Sequence, residues 1–202
     1  MFDWKSALLT VMIVAGVAIL PDRAPRPEAE AYAAGVAPEK STELGLYLSS
    51  QEAFAFLQDH PDTLFIDTRD PVEVSNMGHP MGIDAILPVN VHSDEYLESR
   101  AEYALVRNPD FGRMWSDIST AFGVKKDDVI IVTCGNGRRS AIAVNALVAE
   151  GYTNVWHIVD GYEGEELEHR NGRSTQHAWQ LAGLPWGNDT NLPGSAFAKR
   201  ID

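Results

Sequence analysis

DVIIVTCGNGRRSAIAVNALVAEG, residues 128 to 151, puts a strand, a short loop and a helix in immediate succession. Asp128 to Thr133 is continuous, β-branched and apolar, as expected of a strand covered on both faces in a parallel sheet. Arg139 to Glu150 has a helical pattern that stops at Gly151, a residue suited to the left-handed cap. The loop between them holds Cys134, Gly135, Asn136, Gly137 and Arg138. Cys134 is the single cysteine of the chain, which excludes an intramolecular disulfide and leaves stability to the core. It is the first residue beyond the carboxyl end of its strand, where ligands gather in open α/β sheets.

The alternation continues in both directions. Ser49 with Glu52 three residues later forms a capping box at the start of a helix whose face carries Phe54 and Leu57. Thr63 to Asp67 reads as a short buried strand, Ala85 to Val91 as a second, and Asn154 to Val159 as the one after the helix. Residues 93–122 are expected to be mostly helical, as two helices broken where Pro109 and Gly112 interrupt the pattern. Strands alternating with helices predict an α/β fold: a mostly parallel central sheet with helices on both faces.

The 202 residues suffice for one domain with appendages, and a 45% apolar, 22% charged composition is that of a globular protein. The net charge of −13 argues against nucleic acid and against docking on anionic lipid through a basic patch. Ala7 to Leu20 is an uninterrupted apolar run after Lys5, shorter than the ~20 residues that span a bilayer. It fits a signal-peptide core, with Ala31 to Ala33 as a cleavage site, or an uncleaved anchor through residues 7–20. Residues 1–33 are therefore read as signal peptide or anchor, 34–41 as linker, 42–187 as the domain and 188–202 as a tail. Export to the periplasm or another extracytoplasmic compartment follows from either form.

The loop after the strand suits an anion. Gly135 and Gly137 let successive backbone N–H groups turn inward as a nest, and the following helix adds its N-terminal dipole. A thiol there is pushed towards thiolate, and Arg138 and Arg139 push further. Cys134 is expected to be partly exposed and ringed by the amides of residues 135–139. No G-K-[ST] follows, so a nucleotide P-loop is excluded.

These residues resemble the rhodanese-like sulfurtransferase family over roughly residues 42–187. Cys134, Gly137, Arg139 and Ser140 fall on the family's six-residue catalytic loop and the serine after it. LFIDTRDPVEVSNMGHPMG is similar to the upstream signature through Asp67, Arg69, Glu73, Gly78, His79 and Gly82. YTNVWHIVDGYEG resembles the strand before the family's glycine pair, with Gly161 on the first glycine and Tyr162 in place of the second. AWQLAGLPW resembles the closing helix, with Trp179 in its usual place. These separate motifs, in the right order, carry the resemblance.

The resemblance implies covalent sulfur transfer. Cys134 would take a sulfane sulfur from a small anionic donor such as thiosulfate, and pass it from a persulfide to a thiol or protein acceptor. The loop residues Gly135, Asn136, Gly137, Arg138, Arg139 and Ser140 would bind the transferred group. Asp67, Arg69 and Glu73 are expected to form a supporting ion-pair cluster near the mouth. Arg139 would tie the loop to a carboxylate, which leaves Arg138 to steer the donor. Phosphatases of the same fold need one more residue between cysteine and arginine; here Ser140 stands in that arginine's place, and Thr133 replaces their usual histidine. The alternative is a non-catalytic rhodanese-like module, such as an anchored subunit of an envelope complex. No cofactor is implied, and the six histidines show no metal-ligand spacing. Residues 163–177, inserted where the family is short, are expected beside Cys134.

Overall fold

The computed structural model describes residues 27, 35–99, 101–164 and 178–188. The apolar N-terminal run, most of the 163–177 segment and nearly all of the tail lie outside the described residues. In chain order the elements are β1 (Tyr47–Leu48), α1 (Ser50–Asp59), β2 (Leu64–Asp67), α2 (Pro71–Met77), β3 (His79–Pro80), β4 (Ala85–Ile86) and β5 (Asn90–Leu97). They continue with β6 (Glu102–Arg107), α3 (Phe111–Ala121), β7 (Ile130–Thr133), α4 (Arg138–Ala149), β8 (Val155–Ile158) and β9 (Trp186–Gly187).

The central sheet has the order β1-β8-β7-β2-β4 with every pairing parallel. Successive side chains of a strand face opposite ways, and the two cores divide accordingly. Leu64, Ile66, Ile130, Val132 and Val155 pack with Trp115 and Ile118 of α3 and Ala143, Val144 and Leu147 of α4. Phe65, Ile131, Trp156 and Ile158 pack on the other face with Ala53, Phe54 and Leu57 of α1 and with Trp179. Helices cover both faces, as the sequence predicts. The α1 capping box is present: the Glu52 N–H donates to Ser49 Oγ and the Ser49 N–H to Glu52 Oε2.

Residues 93–122 correct the sequence reading. The first half is not a helix but the antiparallel hairpin β5–β6, and α3 alone follows the break at Pro109. Glu, Ala, Leu and Arg favour helix locally, but Tyr96 stands opposite Tyr103 across the hairpin with ring centroids 5.3 Å apart. Most of the hairpin is exposed on both faces, so no alternation of apolar and polar residues marks it as strand. Ala85 to Val91 divides in the same way. Ala85 and Ile86 pair with β2, and the chain then leaves the sheet for the hairpin.

Two smaller differences concern the flanks. Pro38–Lys40, in the stretch read as linker, forms a 3₁₀ turn whose Lys40 is buried. The expected closing helix is a single turn, with the Ala182 N–H on the Ala178 carbonyl at 2.8 Å, before β9 pairs with β3.

Candidate active site

Cys134 follows the last residue of β7, and Gly137 begins α4 in the left-handed conformation at φ 92°. The loop closes on the sulfur itself. The Gly137 N–H donates to Cys134 Sγ at 3.1 Å, and the Ser140 hydroxyl divides its one proton between Sγ at 3.4 Å and the Gly137 carbonyl at 3.2 Å. The Arg138 N–H turns instead to Asn136 Oδ1 at 3.3 Å. The expected ring of amides is thus drawn in to one N–H and one hydroxyl at the sulfur. Cys134 is also fully buried rather than partly exposed. The residues after β8 account for that: the Tyr162 N–H donates to the Cys134 carbonyl at 2.7 Å, and the Glu163 and Gly164 N–H groups donate to the Gly135 carbonyl at 2.8 and 3.0 Å.

Gly161 makes this approach possible. Its φ is +68°, and a Cβ there would lie 2.6–2.7 Å from Gly135 O, Asn136 N and Cys134 O. No side chain fits between two backbones at that separation. The turn after β8 therefore lies directly on the cysteine loop, as the resemblance implies. Tyr162, in the place of the second glycine, is buried under Arg69, whose guanidinium carbon sits 4.1 Å from its ring centre. Its hydroxyl donates to the Met77 carbonyl at 3.0 Å and accepts from Gln180 at 2.9 Å. Burial pushes the phenol up to about 12, against the pull of Arg69, so it stays protonated.

The expected ion-pair cluster divides into two. Arg69, wholly buried, forks onto Asp67, with Nη2 at 2.7 Å from Oδ2 and Nε at 3.1 and 3.0 Å from the two oxygens. The same guanidinium donates to the Gly78 carbonyl at 2.8 Å and to Glu163 Oε1 at 3.0 Å. Glu73 belongs to a second pair. Both its oxygens accept from Arg139, Nη1 to Oε2 and Nη2 to Oε1, the latter at 2.7 Å. Burial alone would raise the Glu73 carboxyl, but Arg139 brings it below its ordinary value. Burial would likewise loosen the Arg139 proton, and Glu73 holds it on. Arg139 therefore ties the loop to a carboxylate, as expected. The Arg138 side chain is about half exposed, with Nη2 3.6 Å from Glu39 Oε1.

One participant carries no motif that separates it in the sequence. Glu163 is one of four glutamates in the 163–177 segment, and its contact with Arg69 spans 94 positions. Glu73 also accepts from the Asp70 N–H at 3.3 Å, closing a capping box at the start of α2. The D-P-V-E spacing of residues 70–73 was the available signal for that second task. His157 is buried on β8 with neither ring nitrogen in a hydrogen bond. Among the described residues no group of histidine, cysteine and carboxylate side chains is placed to hold a metal ion, and no helix is long and apolar enough to cross a membrane.

The chain is 34% identical over 121 residues to thiosulfate sulfurtransferase 16, chloroplastic, of Arabidopsis thaliana, covering 60% of this chain and 77% of that protein. It is 36% identical over 97 residues to the senescence-associated protein DIN1 of Raphanus sativus, covering 48% of this chain and 45% of that one. Among solved structures, the polysulfide-sulfur transferase homodimer of Wolinella succinogenes aligns with a TM-score of 0.43 at 20% identity, over 72% of this chain and 80% of that chain. The rhodanese-like domain model matches residues 50–166, more than half of the sequence, and the chain belongs to the rhodanese-like domain family.

Proposed function

We propose that the chain is a sulfurtransferase that carries a sulfane sulfur as a persulfide on Cys134. The Cys134 thiolate attacks the outer sulfur of a donor such as thiosulfate. The new S–S bond forms as the donor's S–S bond breaks, and sulfite leaves with the electron pair. A thiol or protein nucleophile then takes the outer sulfur and returns Cys134 to the thiolate. The observation that carries this reading is the pair of donors on Cys134 Sγ, the Gly137 N–H and the Ser140 hydroxyl, inside a loop fixed by Arg139 and Glu73. Donors held ready for a charged sulfur stabilise the attacking thiolate without reorganisation, as oxyanion-hole donors do. Arg138, on the outer side of the loop, steers the incoming anion.

The test is the mass of the purified protein after thiosulfate, with and without reductant. A reducible gain of one sulfur atom, lost in Cys134→Ser, is expected. The full burial of Cys134 favours a second reading, a rhodanese-like module that binds without turnover; an unchanged mass with every donor would decide for it. The apolar run of residues 7–20 supports export to an extracytoplasmic compartment, cleaved or anchored. Fractionation of cells expressing the whole chain tests that, and a wholly cytosolic pool would refute it.

A further inference from the structure

Arg69 is matched by two carboxylates. Asp67 alone neutralises it through a buried fork, and Glu163 is added on the side of the catalytic loop. The trio Asp67–Arg69–Glu163 therefore carries one net negative charge. The Glu163 side chain is 29% exposed, whereas Arg69 and Asp67 are wholly buried, so the surplus charge is presented at the carboxylate nearest solvent. Its place relative to the loop is fixed by the backbone, since the Glu163 N–H donates to the Gly135 carbonyl at 2.8 Å. A carbon added to Gly135 would lie 3.6 Å from Glu163 Oε1 and 3.3 Å from Arg139 Nη2. The carboxylate thus lies over the residue that follows Cys134, and the guanidinium beside that residue, Arg139, is already held by Glu73.

A sulfur donor that passes Glu163 meets that negative charge, while the Arg138 guanidinium on the outer side of the loop has Glu39 Oε1 3.6 Å from its Nη2. We propose that Glu163 is a specificity-determining residue that favours sulfane donors of low negative charge, such as thiol persulfides, over dianions such as thiosulfate. The proposal rests on the sulfurtransferase reading of Cys134. With thiosulfate, a dianion must approach both the thiolate and Glu163, and like charges in a partly desolvated site oppose the encounter. With a thiol persulfide, R–S–SH, the Cys134 thiolate attacks the outer sulfur, and the persulfide's own S–S bond breaks as the new one forms. R–S⁻ leaves with the electron pair and takes a proton from water, while the transferred sulfur keeps its hydrogen. Charge and electrons balance without any further reagent. An ammonium group on R is attracted by the same carboxylate.

The experiment is a charge series on the whole chain. Single-turnover persulfide formation, read by mass, is compared in the native protein and Glu163→Gln with thiosulfate, methanethiosulfonate and cysteamine persulfide. Glutamine keeps an oxygen for Arg69 and the backbone bond to Gly135, and removes only the charge. Glu163→Gln should speed thiosulfate about tenfold and the monoanion by a smaller factor, without speeding the ammonium-bearing persulfide. The native thiosulfate rate should rise with ionic strength, and the variant's should rise less. Equal changes for all three donors, or a fall with thiosulfate, would overturn the proposal and leave the sulfurtransferase reading standing. Failure of every donor to load the native protein would remove both.

Discussion

Arg139 and Glu73, 66 positions apart, meet as a fork on a fork: each guanidinium Nη donates to a separate carboxylate oxygen. One residue belongs to the first turn of α4 and the other to the first turn of α2. The pair therefore joins the cysteine loop to the loop after β2, on the carboxyl side of the sheet. Bidentate geometry fixes orientation as well as distance, which a single ammonium does not.

Breaking that pair should disturb the site more than the fold. Glu73→Gln leaves a half-buried guanidinium without its charge partner, at a cost of about 2 kcal/mol, between the values for exposed and buried pairs. Arg139→Lys should retain part of the stability and lose most of the rate of persulfide formation. The Glu73 carboxyl is held below its ordinary value of 4.5. The stability it adds is thus complete above that value and is lost as pH falls through the lower, folded one. Acid unfolding of Glu73→Gln should lack this contribution, and identical acid transitions for variant and native protein would contradict it.

Gly137 separates a backbone requirement from a chemical one. At φ +92° it is left-handed, and an added Cβ would lie 2.2 Å from the Val159 carbonyl oxygen. Gly137→Ala should cost roughly 3 kcal/mol or more, the sum of conformational strain and overpacking against backbone. Gly135 has no such φ, and its added carbon meets only the ends of Arg139 and Glu163. Gly135→Ala should keep most of the stability, measured by urea unfolding, while slowing the loading of Cys134. Equal destabilisation by both would show that the loop is not held from below by β8.

The contrast explains what the sequence disclosed. The β7–loop–α4 unit was legible because burial on both sides forces a continuous apolar run, and a tight loop on a helix start requires glycine. The alternation of Phe65 and Ile66, or Ile131 and Val132, between two cores was implicit in the same runs. The hairpin was not legible, since its exposed faces remove the pressure that writes a pattern into a strand. Cys134's burial and the contact of Arg69 with Glu163 were hidden for another reason. Both depend on the turn at residues 161–164, which reaches the site from the far side of β8, and no local spacing encodes a contact across 94 positions.

Tyr103, half exposed on β6, should matter little to stability. Its chief described contact is the cross-strand ring of Tyr96, so Tyr103→Ala should cost about 0.5 kcal/mol, within the range for such pairs. A loss several times larger in urea unfolding would mean that the hairpin is packed in solution against something beyond its partner strand.

His157 makes the strongest pH prediction. It lies buried on β8, edge-on to Tyr47 at 5.9 Å and opposite Val132 of β7, with no ring nitrogen in a hydrogen bond. Burial lowers its pKa to about 4 from 6.5. The charge of Lys40 adds to that, and the nearby backbones of Gly137 and Lys40 only partly offset it. The unfolded chain therefore binds a proton between these two values that the folded chain refuses. Stability should be complete above the unfolded value and fall as pH drops from about 6.5 towards 4, by roughly 3 kcal/mol in all. The folded protein keeps this imidazole neutral over the same window, so His157 should leave the amide that serves Cys134 undisturbed until pH nears 4. His157→Gln removes the titration, and its urea midpoints at pH 7 and 4.5 should differ less than those of the native protein. An equal difference in both would assign the loss to the carboxylates instead.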